Sequence, residues 1–221
     1  MSKSTLPEAK NWNHYWSLDQ TKKFTKISWS KRRILNILKP YARSGQRALD
    51  AGCGSGFFSQ FFCDAGMNTV SLDYSDEALA IAKEKTRGRT QIVKKNLLDP
   101  LLPKDFQTRF DVIFSDGLLE HFPLAQQNQI IQNFKALLKP GGVIVTFVPN
   151  KWSPWEVIRP FYMPGIEEEP FILKDLVRLQ SSNSLTIIQK GGINTLPFAF
   201  SPDHLVGSLF GMLLFTIAKQ S

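Results

Sequence analysis

Short runs rich in β-branched and aromatic residues alternate along much of the chain with stretches whose apolar residues recur at helical spacing. Arg47–Ala51, Asn68–Asp73, Thr90–Lys95, Phe110–Ser115 and Val143–Val148 read as strands, each ended by polar or glycine residues. Helical patterns lie between them. Phe57–Ala65 opens directly from glycine, and Ser75–Lys85 starts on a serine followed by Asp76 and Glu77, as a helix N-terminus prefers. Leu124–Leu138 repeats Ile130, Ile131, Phe134, Leu137 and Leu138 at helical spacing and stops at Lys139-Pro140-Gly141-Gly142. Such alternation predicts right-handed βαβ units in a mostly parallel sheet, covered on both faces by helices. The last third differs. A Pro- and Trp-rich stretch from Pro149 to Pro170 precedes a short helix near Leu173–Gln180, and the runs SLTIIQ and MLLFTIAK could pair as an antiparallel edge. One domain over residues 1–221 is the economical reading.

Composition narrows the class. With 221 residues, 43% hydrophobic and 21% charged, the chain is neither disordered nor coiled-coil and has material for a sizeable core. Cys53 and Cys63 are too few for a disulfide framework or a four-cysteine zinc site. The N-terminus lacks the apolar segment of a signal peptide, and the longest apolar stretch, Leu205 to Ala218, is too short to span a bilayer, so the expected address is the cytoplasm. The charge is more informative once divided. Residues 1–50 hold 11 Lys/Arg against 3 Asp/Glu, whereas residues 51–221 hold 16 of each. The excess is densest in TKKFTKISWSKRR, whose Lys22, Lys23, Lys26, Lys31, Arg32 and Arg33 have no acid among them. A basic arm of this kind attracts RNA or an anionic membrane surface through residues 22–33, or is simply a solvated helical face.

The segment ALDAGCGSGFFSQFF, residues 48–62, carries the chemistry. It is a strand ending at Asp50, a turn with Gly52, Gly54 and Gly56, and then a helix. Glycines at alternate positions let a ligand lie against bare main chain beside helix N-terminal amides. A dinucleotide fingerprint would need a third glycine at position 57, where the chain has Phe57, so the spacing argues for a ligand without a pyrophosphate. The second strand ends in Asp73, whose carboxylate can accept hydrogen bonds from a vicinal ribose diol.

With these motifs in order, residues 45–150 resemble the class I S-adenosylmethionine-dependent methyltransferases, in particular the broad small-molecule family that includes ubiquinone-biosynthesis enzymes. The resemblance implies a Rossmann-like, seven-stranded, mostly parallel sheet with an antiparallel edge strand and helices on both faces. It implies S-adenosyl-L-methionine as cofactor, with Asp50, Gly52, Gly54 and Gly56 around its methionine part. Asp73 would hold the ribose hydroxyls and Tyr74 would lie beside the adenine. The family's acidic residue after the third strand is replaced by Asn96, followed by Leu97, in KKNLLD. FDVIFSDGLLEHF resembles the fourth motif, with Asp116 beneath the methionine. Residues 1–44 would cap a cofactor-binding core over 45–150, and residues 151–221 would supply the substrate lid and edge strands.

A sulfonium methyl is already electrophilic, so the protein's share is alignment and a dry site. A hydroxyl acceptor must also lose a proton, and histidine suits that task. His121, directly after the fourth motif, is the candidate base; the alternative is a histidine held structurally at the start of the next helix. Ubiquinone O-methyltransferases that the chain resembles hold a divalent metal with a Glu-His pair and a glutamate three residues earlier. Glu120-His121 are present, but the third position is Gly117, so no metal is expected. The Asn/Asp-Pro-Pro-aromatic motif of adenine N6-methylating enzymes is absent. All five tryptophans lie outside the core, which makes Tyr15, Trp16, Trp152 and Trp155 candidate substrate contacts or lid anchors, with LPFAFSPDHLV as a further apolar wall. Three function classes follow: methyl transfer to a small apolar or aromatic acceptor (lipid, quinone or natural product), methylation of RNA or protein held by the basic arm, and a non-catalytic subunit. The intact glycine and aspartate positions favour an enzyme.

Overall fold

The computed structural model describes residues 9–162 and 168–220. Its centre is a seven-stranded sheet in the order β3-β2-β1-β4-β5-β7-β6, built from β1 (Arg47–Ala51), β2 (Asn68–Asp73), β3 (Gln91–Lys94), β4 (Phe110–Asp116), β5 (Leu138–Pro149), β6 (Leu185–Ile193) and β7 (Leu213–Gln220). The first five strands pair in parallel. β7 runs antiparallel between β5 and β6. The class I layout implied by the sequence is therefore the observed one, including the inserted last strand.

Among the described residues, eight α-helices surround the sheet: α1 (Ala9–Ser17), α2 (Trp29–Leu38), α3 (Phe57–Asp64), α4 (Asp76–Lys85), α5 (Leu124–Leu137), α6 (Trp155–Tyr162), α7 (Leu173–Ser182) and α8 (Asp203–Phe210). Alternation along the strands feeds two cores. Leu49, Ile113 and Ile144 turn toward Ile130, Ile131 and Phe134 of α5 and toward Leu176 and Leu179 of α7. Ala48, Val112, Phe114, Val145 and Phe147 turn the other way, toward Ile34 and Leu38 of α2 and Phe58 and Phe62 of α3. Adjacent strand residues feeding opposite cores is what a sheet buried on both faces requires. Ser75 caps α4 as its sequence suggests, its hydroxyl accepting from the Ala78 N–H.

One boundary differs from the periodicity. Lys139-Pro140-Gly141-Gly142 does not lie outside β5 as a free turn but forms its first residues, and the β4–β5 register shifts between Phe110 and Val112 to absorb them. Gly142 permits this because a Cβ there would sit 2.9 Å from the Asp111 carbonyl oxygen.

Gly56 fixes how α3 leaves the sheet. Its φ is +67°, and a Cβ would lie 2.5 Å from the Ala82 Cα of α4. Left-handed strain and a backbone clash coincide, so Gly56→Ala should destabilise the fold by roughly 2–5 kcal/mol. Urea denaturation measures this; a midpoint within error of the wild type would contradict the packing described.

Candidate functional site

The strand ends of β1, β2 and β4 meet above the sheet, where open α/β folds place ligands. The Gly52 and Cys53 N–H groups both donate to the Leu72 carbonyl, and the Gly54 N–H donates to Asp73 Oδ2 at 2.9 Å. The glycine turn is thus stitched to the end of β2. Asp73 also accepts from the Tyr74 and Ser75 N–H groups through Oδ1, which leaves a lone pair on Oδ2 for a ribose hydroxyl. Bare main chain at Gly54 is closely covered: a Cβ there would meet the Trp16 ring at 2.5 Å. Leu118 stands 3.0 Å from the Cβ position of Gly52.

Helix α1 lies over this floor. The Ser75 hydroxyl donates to Asn13 Oδ1, and the Ser55 hydroxyl donates to the Phe24 carbonyl in the 3-10 segment Asp19–Thr25. Tyr15 is buried and forms edge contacts with Trp12 and Trp16. Of the two candidate substrate contacts in α1, Trp16 lies over the glycine turn, whereas Tyr15 packs among Trp12, Trp16 and Phe24. Asn96, exposed just after β3, already accepts the Leu98 N–H, whereas Leu97 is buried in the core below. Tyr74 stands 45% exposed beside Asp73.

Three carboxylates give the floor a negative character. Burial pushes Asp50 up to about 7 against the stabilising hydroxyl of Ser59, and pushes Asp116 up to about 6 against the opposing pull of Lys31. Burial also raises Asp73, with its three backbone N–H donors holding it down. Lys31 belongs to this site and not to a free arm. Its ammonium donates to the Phe24 and Lys26 carbonyls, lies 4.2 Å from the Phe57 ring centroid and is pushed down to about 8 by burial. Arg33 is likewise turned inward, pairing with Asp203 at 3.0 Å.

At the far end, His121 follows β4 in the short turn Leu119–His121, its side chain 7% exposed. The Trp12 ring meets its imidazole edge-on with centroids 4.9 Å apart. Glu120 lies beneath, and Glu168 arrives from the segment after α6, anchored by the Glu169 N–H donating to the Glu120 carbonyl. Burial raises Glu120 well above the usual carboxylate range and Glu168 to about 7, the latter opposed by Arg159 at 2.9 Å. Tyr15 is raised by burial and then by Glu168.

Glu120, His121 and Glu168 bring one donor atom each within 4.8 Å of one another, and Glu120 Oε2 is buried without a hydrogen-bond partner. The expectation of no metal rested on Gly117, yet a third donor is supplied from a different segment. Two carboxylates and an imidazole suit a divalent cation, so these residues could hold one, in competition with Arg159 for Glu168. Sequence spacing could not have found Glu168, since nothing local to it marks a ligand.

Trp152 and Trp155 divide. Trp155 begins α6 and is half-buried, whereas Trp152 is 61% exposed at the surface. The expected wall LPFAFSPDHLV also stands outward, with Phe198 62% and Phe200 76% exposed.

Comparison with known proteins agrees with this geometry. Residues 49–144 match a family model described as a methyltransferase domain. The chain is 34% identical over 120 residues to the ubiquinone biosynthesis O-methyltransferase of Coxiella burnetii, covering 54% of this chain and 50% of that protein. The Actinobacillus pleuropneumoniae enzyme of the same name is 34% identical over 112 residues, 48% of this chain and 47% of the relative. The chain thus spans about half the length of the curated relatives it matches. Among solved structures, an S-adenosylmethionine-dependent methyltransferase from Anabaena variabilis superposes with a TM-score of 0.71 at 18% identity, covering 100% of this chain and 98% of that one. The magnesium protoporphyrin IX methyltransferase of Synechocystis with bound S-adenosylhomocysteine gives 0.68 at 14% identity, covering 96% and 99%.

Proposed function

We propose that this chain, whose residues 49–144 match a methyltransferase domain model, is a class I S-adenosylmethionine-dependent methyltransferase that methylates a hydroxyl of a small apolar or aromatic acceptor. The observation that carries the choice is His121, enclosed by Trp12, Glu120 and Glu168 at the end of the cofactor floor. The relatives named O-methyltransferases support an oxygen acceptor.

S-adenosyl-L-methionine supplies an electrophilic sulfonium methyl. The chain's residues fit it: the glycine turn presents main chain at Gly52 and Gly54 beneath the movable side chains of Leu118 and Trp16, Asp73 retains acceptor capacity for a ribose hydroxyl, and Asp50 and Asp116 favour a cation. Trp12, Tyr15 and Trp16 exclude water and offer flat apolar surface to an aromatic acceptor. His121 takes the acceptor's proton, which converts a weak nucleophile into an oxyanion aligned for attack. Alternatively, a divalent cation held by Glu120, His121 and Glu168 would supply Lewis-acid polarisation of the acceptor oxygen in place of the base. Transfer of labelled methyl from the cofactor to phenolic and amine acceptors tests the reading; labelling confined to amines would overturn it.

The carboxylates predict a proton signature of cofactor binding. With folded values of about 6 for Asp116 and about 7 for Asp50, both are partly protonated in mildly acid solution. A sulfonium beside them favours the charged form and lowers both values, so protons are released on binding. Calorimetry near pH 6.5 in buffers of different ionisation enthalpy should show this release for S-adenosylmethionine and less for its uncharged-sulfur product. Equal release by both ligands would remove the assignment of these groups to the sulfonium end.

A further inference from the structure

Helix α8 packs against the sheet by its smallest residues. Gly207 meets Gly192 of β6 backbone to backbone, and a Cβ on either would overlap the other's main chain. Close docking of one face leaves the rest of the helix outward, where Leu205 is 74% and Leu209 57% exposed. They lie four residues apart and so share a face. The preceding loop adds Phe198 and Phe200, 62% and 76% exposed.

These side chains project from a braced frame. Asp203 accepts from the Asn194 and Thr195 N–H groups and from the Ser201 hydroxyl. Arg33 of α2 pairs with Asp203 and donates to the Phe198 carbonyl and to Asn194 Oδ1. That clamp joins the apolar loop to the basic segment. Trp29 lies one helical turn before Arg33 on the same face of α2, is 44% exposed, and has the Arg32 guanidinium 5.6 Å from its ring centroid. Lys23, Lys26, Arg32 and Lys39 of the same basic segment are exposed.

Acidic residues are missing from both segments. Residues 20–49 contain none, and residues 176–221 contain only Asp203, which Arg33 neutralises. A soluble surface has no need of four bulky apolar side chains beside unopposed cations. An anionic lipid surface satisfies both, because acyl chains accept the apolar prongs while headgroups face the cations. RNA would answer the charge and leave the leucines and phenylalanines wet.

We propose that the face carrying Trp29, Arg32, Phe198, Phe200, Leu205 and Leu209 docks on an anionic bilayer. The docking is separable from methyl transfer, since none of these side chains belongs to the candidate catalytic cluster.

Flotation with phosphatidylcholine vesicles, with and without about 30 mol% phosphatidylglycerol, tests it. The full chain should float with the anionic vesicles, and the bound fraction should fall as salt is raised. Phe198→Ser with Phe200→Ser should lower vesicle affinity about tenfold or more while leaving thermal unfolding unchanged, because both rings are exposed. Arg32→Glu should weaken binding to anionic vesicles and leave any residual binding to neutral ones alone. Failure to bind anionic vesicles, or unaltered binding by the double variant, overturns the proposal. So does a dimer in solution that the double variant disperses without any vesicle binding, which would assign the face to a second copy. Salt-sensitive RNA binding in place of vesicle binding overturns it as well. Methyl transfer to a water-soluble acceptor by the double variant should proceed at the wild-type rate, so failure of docking and failure of catalysis are read apart.

Discussion

Replacing His121 with Ala should leave cofactor affinity nearly unchanged and lower turnover on a phenolic acceptor by about 10²–10⁴. The imidazole is enclosed by Trp12 and lies beyond the glycine turn, so its loss removes proton transfer without disturbing the Asp73 contacts. A chelator separates two ways in which the residue can act. Turnover that persists in the wild type without divalent cations assigns His121 to proton removal. An absolute need for such a cation assigns it to holding the ion with Glu120 and Glu168. Single-turnover rates measure both cases, and full activity of the His121 variant on a hydroxyl acceptor would rule out either role. An amine acceptor should show a much smaller effect, because little proton removal is needed before attack.

Asp73→Ala should weaken S-adenosylmethionine binding by roughly 1–3 kcal/mol, or about 5- to 150-fold in Kd. The side chain has two tasks here, since it also accepts the Gly54, Tyr74 and Ser75 N–H groups. Asp73→Asn distinguishes them. An amide oxygen can keep the Tyr74 and Ser75 N–H groups while the amide nitrogen faces the Gly54 N–H and the charge is lost, so thermal stability should recover in part and affinity less. Calorimetric titration of both variants provides the values; an unaltered Kd in the alanine variant would contradict the assignment of Asp73 to the ribose.

Much of the fold was legible because its signals are local. Glycines at 52, 54 and 56 encode a turn irrespective of what packs on it, and β-rich runs alternating with helical periodicity encode the sheet and its covered faces. The KPGG segment misled because proline and glycine at a helix end ordinarily signal a loop, whereas β5 runs on through it as an irregularity between the Leu138–Phe110 and Val143–Val112 pairs. α1 was not marked by periodicity. Its sequence AKNWNHYWS carries few apolar residues, and its place is set by Asn13, which receives the Ser75 hydroxyl, and by Trp16, which lies against Gly54.

The candidate site was legible where strand ends fix it and incomplete around His121 for the same reason. Asp50, Asp73 and Asp116 stand at strand ends whose positions follow from the sheet. Glu168 reaches His121 by a tertiary route from beyond α6, which no spacing records. Charge counting likewise treated Lys31 and Arg33 as parts of a basic arm, although the Lys31 ammonium is held by the Phe24 and Lys26 carbonyls and Arg33 pairs with Asp203. Trp152, read as a candidate substrate contact, stands at the surface, with Asn150 joining its segment to the end of α8 through the Leu209 and Gly211 carbonyls.

Single-turnover transfer of labelled methyl from S-adenosylmethionine, offered at once to phenolic small molecules and bulk RNA, tests the central claim most directly. The account predicts label on the oxygen of a small aromatic acceptor and loss of that label in the His121 variant. Label on RNA with none on any small acceptor, or no transfer by a protein that binds the cofactor, would contradict it.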